Sequence, residues 1–343
     1  MTVPDHNFFR FATRELSHSA FWAWVLQAVG HGNSEFESPG LLGRRLLDRL
    51  GAPSSPTSIE VSTERTLPEK AGRADIWAAV DQEHVVIIEN KRSSVPSRSQ
   101  IDRYRNALAR ESRTLHICLL STAFDADVRG EFEADPECHF VPAEGLLSIL
   151  DGIAHDHPVT RDYHVWLKHL VACRDRHRSW ALSPKHEEFT KALATPEGQW
   201  ALLGVLTGSM EGTPYRGMNA GGRPWTQFRF VDRAEEPPDT LFYRIDRSSR
   251  GYYLSVRQYQ GSPKPDWGAK KARLYTLRAA WDQAVEEVDV GLIFERPRNR
   301  GRNESEIAWL LFHRNPVNTV IEELPRLHEA FLARIRADPT PHG

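Results

Sequence analysis

Cysteine is scarce in this 343-residue chain, which holds only Cys118, Cys138 and Cys173. Three thiols cannot build a disulfide framework, so a small cross-linked secreted fold is excluded and a reducing, cytoplasmic setting is expected. Long apolar runs are also missing. No stretch approaches the roughly 18 residues that a membrane helix needs, so no membrane partner is expected. Residues 1–11 carry Asp5 and His6 early and lack the apolar stretch of a secretory signal. Neither sign of charge is in excess: 44 Lys and Arg face 46 Asp and Glu, a formal net charge of −2. A phosphate-rich partner can therefore be held only through local patches.

One such patch is present. Lys91, Arg92, Arg98, Arg103, Arg105, Arg110 and Arg113 fall within 23 residues, against Asp102 and Glu111 alone. Such a run is either a solvated helix face or a nucleic-acid contact. The length suggests two domains. The change in character after Trp180, with Pro184 and a Gly-rich polar stretch at 211–225, places them at 1–178 and 179–343.

The first half reads as an α/β core. Glu15 to Leu26 predicts a helix with Leu16, Trp22, Val25 and Leu26 on its apolar face, and Leu41 to Leu50 a second helix ended by Gly51. Three strands follow at 59–67, 73–80 and 84–91. The unbroken run Val85-Val86-Ile87-Ile88 marks the third as central and buried on both faces. Asp81-Gln82-Glu83 is short enough for a hairpin turn. A helix at 97–109 and an apolar strand at 115–120 complete the order helix, strand, strand, strand, helix, strand. The second half predicts an α+β domain, with strands at 225–231, 241–245, 252–259 and 288–294 and helices at 268–285, 304–314 and 321–335.

Asp75 lies mid-strand, and Glu89 and Lys91 lie at the end of the central strand. Ionisable groups in such places are costly unless paired or bound to a metal. Residues 89 and 91 project from one strand face, and the hairpin brings Asp75 beside them. Two carboxylates and an ammonium at a strand end suit Mg²⁺, which takes few protein ligands. A neighbouring lysine can help a water attack a phosphodiester. The bland alternative is a salt bridge in which Lys91 neutralises Glu89.

The segments Gly72-Arg-Ala-Asp75-Ile and Ile88-Glu89-Asn90-Lys91, in this order of elements, resemble the PD-(D/E)XK nuclease superfamily. Gln100-Ile-Asp-Arg-Tyr104 is similar to the Gln-x-x-x-Tyr element of its RecB-like branch. Glu15-x-x-His18-Ser19 is similar to the opening helix of an uncharacterised bacterial subgroup. The resemblance covers residues 10–125 and departs in having Ala74 where a proline commonly precedes the aspartate. It implies a restriction-endonuclease-like αβββαβ core. It also implies a metal-dependent nuclease with Asp75, Glu89 and Lys91 as its catalytic centre and Gln100 and Tyr104 as orienting groups. Asp75 and Glu89 would ligate Mg²⁺, or Mn²⁺ in its place, with the Asn90 carbonyl and Glu15 in support. Glu64 falls where the subgroup often carries a further acid. The substrate implied is nucleic acid, DNA ahead of RNA, and the setting bacterial defence. The alternative is a non-catalytic nucleic-acid-binding or sensor protein on the same fold, and a homodimer or a protein partner through the C-terminal domain stays open.

Other signals are weaker. His169, Cys173, His177 and His186 lack the paired Cys-x-x-Cys spacing of zinc fingers. Arg296, Arg298, Arg300 and Arg302 form either a solvated loop or a phosphate contact. Phe228, Phe230, Tyr243, Tyr252, Tyr253 and Tyr259 are either core or a base-stacking platform.

Overall fold

The run Val85–Ile88 decides where the sheet lies. In a computed structural model, strand β3 (His84–Lys91) alternates its burial between two cores. Val86 and Ile88 join one apolar cluster, and Val85 and Ile87 join another on the opposite face. The structure describes residues 6–12, 14–31, 34–92, 97–122, 132, 135–153, 156–218, 224–233, 239–260, 267–297 and 304–337. The chain divides into two compact units, Met1–Cys173 and Arg174–Gly343.

In the first unit, α1 (Glu15–Gln27) and α2 (Glu37–Arg49) precede β1 (Ile59–Thr66), β2 (Arg73–Val80) and β3. Then come α3 (Arg98–Leu108), β4 (Thr114–Ser121), β5 (Cys138–Pro142), α4 (Ala143–Leu150) and α5 (Pro158–Trp180), which runs past the division. The five strands lie in sequential order, with β1, β2 and β3 antiparallel and β3, β4 and β5 parallel. A parallel pair needs a long crossover, and α3 supplies it between β3 and β4. Residues of α1, α2, α4 and α5 cover one face of the sheet, and Ile101, Tyr104 and Leu108 of α3 pack on the other.

The β2–β3 turn uses left-handed backbone at Asp81 (φ 51°) and Gln82 (φ 62°). Asp81 offsets that cost by accepting hydrogen bonds from Thr57 N, Thr57 Oγ1 and Ser58 N at 2.7–2.9 Å. Helices α1 and α2 approach closely at Gly43, where a Cβ would lie 2.5 Å from the Val25 carbonyl oxygen. Helix α2 begins before the expected Leu41, since Pro39 in its first turn sacrifices no helical hydrogen bond. Leu16, expected on the buried face of α1, is 54% exposed, and His18 and Ser19 begin the buried stripe instead.

The second unit has α6 (His186–Leu193), α7 (Pro196–Thr207), β6 (Thr213–Met218), β7 (Pro224–Arg233), β8 (Asp239–Ser248) and β9 (Gly251–Tyr259). These are followed by α8 (Trp267–Val288), β10 (Phe294–Glu295), β11 (Glu304–Leu311) and α9 (Val317–Ala337). Its sheet is antiparallel throughout, in the order β10-β11-β9-β8-β7-β6. Two expectations fail here. Residues 304–311 form a strand inside the sheet rather than a helix, because pairing with β9 overrides the helix propensity of Glu, Ala and Leu. The strand expected at 288–294 shrinks to Phe294–Glu295. The Leu274, Leu277, Trp281, Ala284 stripe carries α8 on to Val288, and Asp289 (φ 50°) then breaks it.

Candidate active site

The ladder between β2 and β3 runs from Val80↔His84 to Ile76↔Ile88 and ends there. Asp75 follows the last pair. Its Oδ2 accepts from the Asn90 backbone N–H at 2.8 Å, so a carboxylate takes the place of the strand partner that Asn90 lacks. Beyond this point β3 keeps its parallel neighbour, with Glu89, Asn90 and Lys91 paired to Leu119, Leu120 and Ser121. The sheet therefore opens on one side of the Glu89-Asn90-Lys91 segment and stays rigid on the other.

The Glu89 side chain is 4% exposed and both its oxygens are occupied. Lys91 Nζ donates to Oε1 at 2.5 Å. The Tyr104 hydroxyl lies 2.8 Å from Oε2 and 2.8 Å from the Arg73 carbonyl, and accepts from Gln100 Nε2 at 2.7 Å. A phenol has one proton, and at equal distances the carboxylate is the stronger acceptor. Gln100 and Tyr104, one turn apart on α3, thus act in series on a single carboxylate oxygen.

Asn90 is 1% exposed and ties β3 to the first turn of α1. Its Nδ2 donates to the Glu15 carbonyl at 3.1 Å and to Ser19 Oγ at 3.2 Å. Glu15 Oε1 accepts from Arg92 N at 3.0 Å, which holds this acid beside the end of β3.

Electrostatics set Asp75 apart. Burial, and then the charge of Glu89, push its carboxyl from 3.8 up to about 6, against the opposing pull of the Asn90 N–H and Lys91; Glu15 adds a smaller rise. Burial and Glu89 also push the Tyr104 phenol above its usual range. His18, packed 4.6 Å from the Trp166 ring, is lowered to about 4 by burial and by Arg92, and so is neutral at physiological pH.

Glu89, Lys91, Gln100 and Tyr104 are thus linked by short contacts, Asp75 is tied to the same segment through the Asn90 N–H, and Glu15 lies alongside. Glu64 lies in β1 between Thr63 and Arg65, whose partners are Ile76 and Ala74, and so falls across from Asp75 in register. At φ 58° in β1 it ion-pairs with Arg73 Nη2 at 2.6 Å, and both side chains are solvent-accessible. Sequence analysis named Ser19 only within the opening-helix motif and gave it no role; it missed the Arg73 carbonyl, which left no signal.

Part of the basic run is a network of ion pairs, while Arg103 and Arg110 are exposed. Arg98 and Arg105 converge on Asp135 at 2.8 and 3.0 Å, Arg105 also pairs with Asp102 and Glu137, and Glu111 holds Arg113 at 2.7 Å. Asp135 and Glu137 lie outside the run, so counting charges within it overstated the field. Arg296 ion-pairs with Asp282, and Arg298, Arg300 and Arg302 lie outside the described residues.

Among the described residues no three His, Cys, Asp or Glu side chains converge into a ready ion site. Asp75, Glu89 and the backbone carbonyl of Asn90 are hard-oxygen groups of the kind that could hold a cation taking few protein ligands. Burial first, and the charge of Glu89 second, disfavour the ionised Asp75 carboxylate, and a cation would offset both. The residues fit a divalent ion. Cys173 Sγ and His169 Nε2, 3.2 Å apart, make an i, i+4 helix contact. No described helix is long and apolar enough to cross a membrane.

A family model described as the PD-(D/E)XK nuclease superfamily matches residues 6–181. No curated protein and no solved structure matches the chain. That superfamily implies a restriction-endonuclease-like core, and its members are in general phosphodiester hydrolases that typically use divalent metals. With the match extending over half of the chain, the protein belongs to the PD-(D/E)XK nuclease superfamily.

Proposed function

We propose that this chain is a Mg²⁺-dependent nuclease acting on DNA, with Mn²⁺ able to substitute and bacterial defence as its setting. The observation that carries the proposal is the convergence of Asp75, Glu89 and Lys91 at the point where β2 leaves β3, backed by Tyr104 and Gln100. Asp75, Glu89 and the Asn90 carbonyl would hold the divalent ion, which when bound supplies Lewis acidity and neutralises phosphoryl charge. Glu15 adds a further negative group beside them.

Lys91 has two tasks in this reading. It fixes the rotamer of Glu89, and its ammonium lies where a charged group can stabilise the negative charge that builds up on a reacting phosphoryl group. Tyr104 donates to the other oxygen of Glu89, so that carboxylate is oriented from both ends. Gln100 directs the phenol. Asn90 and Ser19 lock α1, and with it Glu15, against the site. Residues 179–343 are assigned to substrate recognition, with Arg298, Arg300 and Arg302 as phosphate contacts.

The test is digestion of plasmid and of single- and double-stranded DNA and RNA with Mg²⁺ or Mn²⁺, with an EDTA control and Lys91→Ala in parallel. Cleavage that needs the metal and Lys91 supports the proposal. A wild-type protein inert on every substrate, or an equally active variant, refutes it.

A further inference from the structure

The two faces of the second unit's sheet differ sharply. Strand alternation sends Phe228, Tyr243, Ile245, Leu254 and Val256 into the helix-covered core. The alternate residues of β7, β8 and β9 point to the other face. There they line a cavity of about 560 Å³, within the range of small-ligand pockets. Its walls are aromatic: Trp225, Phe242 and Tyr259. Of the aromatic residues in this half that sequence singled out, Tyr259 alone lines it.

The cavity is built rather than incidental. Trp225 lies across its cross-strand partner Gly217, where a Cβ would come within 2.3 Å of the indole, so only glycine leaves room for the ring. The Arg229 guanidinium stacks over Tyr215 at 4.0 Å. Gln227, with its amide oxygen toward Arg229, accepts from Nε at 3.0 Å and from Nη2 at 3.2 Å. At the opposite wall Glu304 accepts from Arg244 at 3.0 Å and from Arg257 at 2.8 Å. Arg257, 8% exposed, is also bound by Asp246 and Glu306. The side chains are therefore pre-set, at little ordering cost to a ligand.

The wall chemistry alternates flat apolar surface with fixed guanidinium donors, an amide and an acceptor-only carboxylate. Arg244 and Arg257 are already neutralised by Glu304, Asp246 and Glu306, so a matching ligand is selected by shape and rim: it must be planar and carry donors and acceptors around its edge. A nucleobase has both properties. We propose that this sheet face is a nucleobase-binding site, taking an unpaired base either from a free nucleotide or from a single strand. The single-strand source rests on the nucleic-acid substrate proposed above; the free-nucleotide source does not.

The test uses the full chain in EDTA, so that no strand is cut. Calorimetric titrations with each of four nucleoside 5′-monophosphates and with short single-stranded oligonucleotides are compared for wild type, Trp225→Leu, Tyr259→Leu and Trp225→Phe. Loss of a stacking ring weakens binding by about ten- to a hundredfold, and Trp225→Phe retains most of the affinity. Loss for the monophosphates identifies a free nucleotide as the source; loss for the oligonucleotides alone identifies a strand. Tyr259 is 38% exposed, so its variant keeps the test sound if Trp225→Leu misfolds. Wild-type affinity for every probe in both leucine variants, or no binding by wild type, overturns the proposal. Cleavage measured separately with Mg²⁺ tells that failure apart from failure of the nuclease reading.

Discussion

Replacing Asp75 by Asn should stabilise the metal-free protein, because the charged acid is held against burial and against the charge of Glu89. Its carboxyl sits at about 6 rather than 3.8, through burial first and the charge of Glu89 second. That difference corresponds to about 3 kcal/mol against the ionised form. Since Asp75 is only half-buried, solvent screening reduces it to about 1–2 kcal/mol. The favourable bond from Asn90 N at 2.8 Å is already inside this balance, and an asparagine oxygen can keep it. A folded-state value raised above the unfolded one means the penalty is absent below about pH 4, grows through about pH 6 and is constant above. Thermal melts in EDTA should therefore show Asp75→Asn and wild type together at pH 4, with the variant about 3–6 °C higher at pH 8. Saturating Mg²⁺ should reverse the order, since a ligand at about 100 times its Kd adds about 2.7 kcal/mol to wild type alone. A variant less stable than wild type at pH 8 without metal would refute the reasoning and make Asp75 a structural anchor.

Four further outcomes are expected. Lys91→Ala should lower cleavage by about 10²–10³ with an unchanged circular dichroism spectrum; a wild-type rate would remove Lys91 from the chemistry. Tyr104→Phe leaves Glu89 Oε2 and Gln100 without their shared partner, so denaturant unfolding should show a loss of about 1–3 kcal/mol alongside reduced turnover. Asn90→Ala should loosen α1, read as faster amide exchange at residues 15–19 than in wild type. Replacing Arg298, Arg300 and Arg302 with Ala should reduce the salt slope of DNA binding by about 0.9 for each phosphate no longer neutralised; an unchanged slope would assign that segment to another role.

The central part of the fold was legible because few structures can absorb the run Val85–Ile88. A strand buried on both faces needs neighbours on both sides and a helix layer on each face. The spacing of Glu89 and Lys91, and of Gln100 and Tyr104, was legible for the same reason: both members of each pair lie on one regular element. What could not be read were partners brought in by tertiary packing. The Asn90 amide meets α1 some 75 residues earlier in the chain. Asp135 meets Arg98 and Arg105 from a segment with no motif of its own. In the second half, Glu304–Leu311 has a composition that suits either a helix or a strand, and only its register with β9 decides.

The departure of β2 from β3 also constrains coordination. One oxygen of Asp75 holds the Asn90 backbone N–H, which fixes the orientation of the carboxylate. Each oxygen keeps a lone pair for an ion, but gripping one ion with both would turn the carboxylate away from the backbone next to Glu89. A larger cation that favours both oxygens of a carboxylate, such as Ca²⁺, would have to break the junction that aligns Glu89 and Lys91. Discrimination against such ions would then follow from the way the sheet is closed at Asn90.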